Sequence, residues 1–277
     1  MIEIIRGMSF EDYAKRPGIN ATLLKMAHYS SLEHCKAYLD GKSKPATDEM
    51  TFGKAFHARL EGLTEYVIQP AKYISEDGEK PWNWNAKVCK QWREAQGGKE
   101  IMTAAEVAAM DAMVAKIRSK RELAPLLDGD REISIFAEKD GLPIKARLDL
   151  LPSDPKGPVI DWKSCASAQP EKFVKSAYNL GYHIQCAWIL DVLRAAKIPR
   201  DSVWLVGIEQ AAPNAMYVPK FSDRMFTLLR VGRKQARVAF QKLKTAFETG
   251  EWPDYGSSDA EDNAPPWALK EIENLAA

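Results

Sequence analysis

Two aspartates stand where a strand would ordinarily carry a branched apolar residue. Asp149 lies in "KARLDLL" and Asp161 in "VIDWKS", and Lys163 follows Asp161 at a spacing of two. Side chains alternate along a strand, so Lys145, Arg147 and Asp149 should share one face, with Ile144, Ala146, Leu148 and Leu150 on the other. By the same period Val159, Asp161 and Lys163 project together, opposite Ile160 and Trp162. If the two strands pair through the "SDPKG" turn between them, both carboxylates converge on one polar face. Carboxylates held together repel, by about 1 kcal/mol at 4 Å in water and several times that near a protein surface. A hard divalent cation such as Mg²⁺, which takes oxygen ligands, removes the conflict. A lysine beside it can hold an attacking water or balance the charge that grows on a phosphorane-like transition state. The plain alternative is a pair of surface ion pairs, Asp161 with Lys163 and Asp149 with Arg147, which need no special purpose. An apolar strand entering each aspartate, a turn of suitable length and a glutamine-bearing helix downstream favour the chemical reading.

Those residues need a sheet to carry them. "EISIFAEKD", "LPIKARLDLL" and "PVIDWKS" alternate with period two and are separated by "DG" and "SDPKG" turn signals, which predicts an antiparallel meander over 131–163. "GYHIQCAWILDVLRAA" then reads as helix, "SVWLVGIEQ" and "AMYVPK" as two further strands, and the stretch from Ser222 to Gly250 as a long amphipathic helix. Residues 1–130 read as mainly helical. Ser9 with Asp12, and Thr103 with Glu106, have the spacing of a helix cap, and 103–119 repeats apolar positions at helical period. The tail 251–277 carries a short last helix, "PPWALKEIENLA". The expectation is one domain over 1–277, with the sheet-bearing core at 131–250, and an α/β (α+β) fold in which a small central mixed sheet is flanked by helices.

With 45% hydrophobic and 28% charged residues in 277, the chain can bury a sizeable core. The 39 Lys and Arg against 38 Asp and Glu give a net charge of +1, so any basic surface must be local. "MIEIIRGMSFEDY" does not resemble a signal peptide, and no run approaches a membrane span, so a cytoplasmic protein without membrane contact is expected. Cys35, Cys89, Cys165 and Cys186 are scattered without a C-x-x-C pair, as free thiols would be.

"ARLDLL", "VIDWKS", the "GYHIQCAWIL" helix with its glutamine and the upstream G-x-x-x-H of "TFGKAFHARLEG" together resemble the PD-(D/E)xK nuclease superfamily. Within it the chain is similar to the exonuclease VIII (RecE) group of phage and prophage recombination exonucleases, relatives of the RecB nuclease domain. The similarity runs from about Met8 to Tyr255. It implies a restriction-endonuclease-like core that hydrolyses phosphodiester bonds of linear double-stranded DNA from its ends, resecting the 5′ strand for a single-strand annealing protein. It implies Mg²⁺ or Mn²⁺ as cofactor, bound by His57, Asp149, Asp161 and the backbone carbonyl of Trp162. Lys163 would activate the water and Gln185 would orient Lys163 or the scissile phosphate, with Glu132 and Tyr182 in support. Relatives form rings, so a homo-oligomeric ring is a further implication. One departure stands out: relatives often carry tyrosine four residues after the glutamine, where this chain has Ile189, with Trp188 one residue early.

Other residues admit two readings. His57, on an apolar helix face with Phe52, Phe56 and Leu60, would alone be a structural histidine, as His28, His34 and His183 are. Trp82 and Trp84, among Lys80, Lys87, Lys90 and Arg93, could stack on bases or pack beneath a neighbouring helix. Along the last long helix, Met225, Leu228, Leu229, Ala236, Phe240 and Leu243 form a core stripe, and Gly232 suits a close helix approach. Arg224, Arg230, Arg233, Lys234, Arg237, Lys242 and Lys244 form a basic run that could face DNA. Rival functions are a single-strand or endonucleolytic enzyme on the same fold and a non-catalytic DNA-binding recombination scaffold. An iron-sulfur relative is disfavoured because no cysteine follows Cys186.

Overall fold

The computed structural model describes residues 2–42, 48–62, 66–222 and 227–255. Arg224, Met225 and the helix expected in "PPWALKEIENLA" lie outside the described residues. The chain opens with β1 (Glu3–Ile5), α1 (Phe10–Lys15), α2 (Ala21–Tyr29), α3 (Leu32–Leu39) and α4 (Asp48–Leu60). It continues through β2 (Tyr66–Ile68), β3 (Lys72–Ser75), β4 (Gly78–Pro81), α5 (Lys87–Ala95), β5 (Glu100–Met102) and α6 (Ala104–Ser119). The start of α6 follows its cap: Glu106 N donates to Thr103 Oγ1 at 3.2 Å while the Glu106 carboxylate accepts from Thr103 N at 2.7 Å. Ser9 caps α1 in the same way, accepting from Asp12 N at 3.0 Å. This region is helical as expected, but five short strands interrupt it. Three or four residues are too few for a period to show, although Asp77-Gly78, where the turn after β3 enters β4, is a hairpin signal.

The core elements are β6 (Gly129–Lys139), β7 (Leu142–Pro152), β8 (Val159–Cys165), α7 (Pro170–Asn179), α8 (Tyr182–Ala195), β9 (Ser202–Glu209), β10 (Met216–Tyr217), β11 (Lys220–Ser222) and α9 (Thr227–Thr249). The main sheet runs β1-β6-β7-β8-β9-β10, with β11 also on β9. β6, β7 and β8 form the antiparallel meander, and β9 joins β8 in parallel after the α7–α8 crossover. The expected strand over "AMYVPK" is split into β10 and β11, with Val218 and Pro219 between them. Helices cover both faces. One core joins α2, α7, α8 and α9 to residues such as Ile133, Ile135, Ala146 and Leu148; the other joins α4 and α6 to Leu150, Ile160, Trp162 and Val206.

Leu150 therefore departs from the expected alternation. Ala146 and Leu148 lie in the core under α8, yet Leu150, two residues on, lies under α4 and α6. The facing phase of β7 reverses across Asp149. On the neighbouring strand the ladder pairs Arg131 with Leu150 and Ile133 with Leu148 but skips Glu132, whose φ is +46°. A non-glycine residue in that region is uncommon and strained. The kink crosses both strands at the one rung that carries two carboxylates.

The charged face foreseen for Lys145, Arg147 and Asp149 is not a solvated one. Lys145 is buried, and its ammonium donates to the carbonyls of Tyr13 at 2.8 Å, Ala14 at 3.3 Å and Arg16, at the end of α1. Arg147 pairs with Glu132 rather than Asp149 and also donates to the Met8 carbonyl at 2.6 Å. The N-terminal segment is thus clamped across the sheet by two basic side chains of β7.

Candidate active site

β7 and β8 meet at Leu150 and Ile160, the register that sets Asp149 opposite Asp161, and then part. Beyond that rung the Trp162 N–H donates at 2.8 Å to Asp149 Oδ2, a side chain, instead of to a carbonyl of the partner strand. Asp161, buried beneath α8, accepts from Gln185 Nε2 at 2.7 Å and forms an ion pair with Lys163. Gln185 reaches it from the first turn of α8, and Lys163 Nζ stands 4.9 Å from the centre of the Tyr182 ring. The structure thus gathers Asp161, Lys163, Gln185 and Tyr182 into one cluster.

A second cluster adjoins it. α4 crosses β8 so that His57 Nε2 lies 3.2 Å from the Trp162 carbonyl, a hydrogen bond that makes this nitrogen the donor. Nδ1 is then the nitrogen that faces Glu132 Oε1 and Asp149 Oδ1, each at 3.7 Å. Ligand atoms of His57, Glu132 and Asp149 all lie within 4.8 Å of one another. Glu132 therefore stands in the donor cluster itself rather than in support, while Asp161 is held by Lys163 and Gln185. One lone pair of the Trp162 carbonyl, expected on the ion, is used by His57.

The electrostatics of this cluster are those of a site short of positive charge. Burial pushes the Asp149 carboxyl up to about 7, with the Asp161 charge adding to the shift and His57 opposing it. Burial acts to neutralise His57, but the Asp149 charge and a hydrogen bond with Glu132 outweigh it and raise the imidazole to about 9. Glu132 is disfavoured by burial yet held below the usual range by hydrogen bonds from His57 and Arg147. Glu61, one turn after His57, is pushed up to about 7 by burial and by the Glu132 charge. Lys163 stays protonated because the charges of Asp161 and Asp149 outweigh its burial. A cavity of 760 Å³ opens beside these carboxylates, walled by Gly7–Phe10, Lys54 and Arg131.

Other expected residues fall outside the two clusters. On α9, Arg230, Lys234 and Arg237 are exposed and Arg233 is half-buried. The helix crosses α8 so closely at Gly232 that an added Cβ would meet the His183 carbonyl oxygen at 2.1 Å, which sets this end of α9 beside the turn bearing Gln185. Trp82 packs edge-on against Trp84 and against Trp92 of α5, with ring centroids 5.3 and 5.1 Å apart, and Arg93 lies over Trp84. Ile189 is buried in the core, and Trp188 donates to the Lys145 carbonyl at 3.3 Å. His34 pairs with Ser31 and His183 with Gln235, as structural histidines do. Sequence reasoning missed Glu61, although its spacing of four from His57 puts both on one helix face. It also missed the Glu132–Arg147 pair.

The model of a family described as "PDDEXK-like domain of unknown function (DUF3799)" matches residues 21–263. Among solved structures, a presumed exonuclease from Eubacterium rectale superposes with a TM-score of 0.64 at 14% identity, over 97% of this chain and 98% of that one. That likeness speaks for the fold. An alkaline exonuclease from Laribacter hongkongensis aligns over 70% of this chain and 90% of its own at 12% identity, with a TM-score of 0.29, too low to argue from. A 72-residue stretch is 33% identical to the DNA dC->dU-editing enzyme APOBEC-3G of Erythrocebus patas, covering 24% of this chain and 18% of that protein. The chain spans under a fifth of that relative's length, and nothing is built on the match. The family match over most of the chain, the mixed sheet between helical layers and the aspartates at the parting of β7 and β8 agree: the chain belongs to the PDDEXK-like domain family (DUF3799).

Proposed function

We propose that the chain is a divalent-metal-dependent deoxyribonuclease that digests linear double-stranded DNA from its ends. The observation that carries the reading is the adjacency of two clusters where β7 and β8 part: donors for a hard cation on one side, and a lysine locked to an aspartate on the other. His57, Glu132 and Asp149 would hold the ion, with Asp161 beside them; two of these carboxylates face a protonated imidazole where a cation would serve better. Oxygen donors with one imidazole suit Mg²⁺ or Mn²⁺. Such an ion supplies Lewis-acid charge beside a scissile phosphate.

The chain's own residues do the rest. Asp161 fixes the Lys163 ammonium, which stays charged and can hold an attacking water or balance the phosphate as its charge grows. Gln185 holds the second Asp161 oxygen and so fixes the carboxylate plane. The resemblance to the RecE group supports end-dependent digestion of the 5′ strand in DNA recombination, and the fold shared with the presumed exonuclease agrees with it. A single-strand annealing partner and a ring assembly belong to the same proposal, and the basic side of α9 is its candidate DNA wall.

Asp161→Asn is expected to abolish Mg²⁺-dependent digestion of end-labelled linear duplex while the circular-dichroism spectrum stays that of the wild type. Digestion at the wild-type rate would sink the mechanism. Closed circular DNA should resist the enzyme; a cut circle would make it an endonuclease. Metal binding with no cleavage of either substrate would leave a DNA-binding scaffold.

A further inference from the structure

Burial drives two lysines of this protein down to about 8. Lys145 has its acceptors, the three carbonyls at the end of α1. Lys25 has no hydrogen bond or ion pair among the described residues. Its stem is pinned against the turn before α8: a Cβ added at Gly181 would meet Lys25 Cδ at 2.7 Å and Cγ at 2.9 Å. Gly181 directly precedes Tyr182, whose ring centre lies 4.9 Å from Lys163 Nζ, so that packing brings the Lys25 side chain to the Lys163 end of the cluster, where the Lys163 charge repels it and the Asp161 charge attracts it. Asp161 already balances Lys163. With its two oxygens taken by Lys163 and Gln185, Asp161 is no partner for the Lys25 ammonium.

A half-buried ammonium without a partner is unfavourable, and its proximity to a second ammonium makes it more so. An anion brought by a ligand would resolve both conflicts. Resting on the nuclease reading above, we propose that Lys25 is a phosphate-contacting residue of the active site, taking a non-bridging oxygen of the bound DNA strand beside Lys163. α2 would then serve as the wall of the site opposite α4. A lysine that merely covers Gly181 with its stem is the competing explanation, and it needs no charge.

Lys25→Met keeps the stem and removes the charge, and Lys25→Arg keeps the charge. In the full chain, Lys25→Met is expected to melt no lower than wild type, because a strained charge is gone, yet to digest duplex at least about tenfold more slowly. Lys25→Arg should regain most of the rate. For duplex binding without divalent metal, the slope of log affinity against log salt should fall by about 0.9 in Lys25→Met. Wild-type digestion with an unchanged salt slope would overturn the proposal, as would equal losses of rate and melting temperature in both variants. Inorganic phosphate gives a readout independent of cleavage: it should raise the melting temperature of wild type but not of Lys25→Met. No rise in wild type also counts against Lys25. If wild-type protein leaves DNA intact, the nuclease reading fails by itself, and the phosphate and salt-slope arms still decide the lysine.

Discussion

His57 carries a proton where the proposed ion would bind. With Nε2 committed to the Trp162 carbonyl, Nδ1 faces two carboxylates, and their charge raises the imidazole to about 9. A raised base contributes stability that is complete below the unfolded value of 6.5 and is lost as pH rises through about 9. Asp149, raised to about 7 from 3.8, loses its contribution as pH rises between those values. The metal-free protein should therefore melt lower at pH 9 than at pH 6. Metal ligands bind deprotonated, so Mg²⁺ must displace these protons and its apparent affinity should rise from pH 7 to 9, by roughly tenfold per unit for each proton released. Calorimetry in two buffers of different ionisation enthalpy measures the release; heats independent of buffer would refute it. At this scale much of the candidate site was legible. Asp149, Asp161 and Lys163 announced themselves as charges in apolar strands, and Gln185 and His57 through motif order. Lys25 did not, because a lysine on an amphipathic helix looks like any solvated one until its neighbours are known.

Among the elements, β6, β7, β8, α6 and α8 were readable from period and caps. The phase reversal in β7 was not: "LDLL" is apolar on both sides of Asp149, so the residue types permit either facing, and only the packing of α4 and α6 chooses. Gly232, flagged from its place on the core stripe of α9, proved to be the contact where α8 and α9 nearly touch. Gly232→Ala should force the helices apart and destabilise the protein by roughly 1–3 kcal/mol. Because α8 carries Gln185, digestion should slow as well. Thermal melting and the duplex assay test both effects, and an unchanged melting temperature would refute so close a crossing.

Over the whole molecule, the near-balance of charge hides a local basic side on α9, and burial of both sheet faces explains the apolar runs of β8 and β9. Strand order was less legible, since β1 joins β6 from more than a hundred residues away. β1 and α1 precede residue 21, where the family match begins. Yet this stretch pairs with β6 along Ser134–Phe136, is tied to it by the Arg6–Asp130 pair, is braced within itself by Arg16–Glu3, and supplies every acceptor of Lys145. A fragment trimmed to 21–263 should melt well below the full chain, and equal melting temperatures would disprove the role given to the segment. Its loss would leave Lys145 without acceptors and offer the bare edge of β6 to another molecule. Such a fragment would fail by clumping, a fault easily mistaken for an inactive enzyme, so a sound catalytic core could be discarded for want of its first twenty residues.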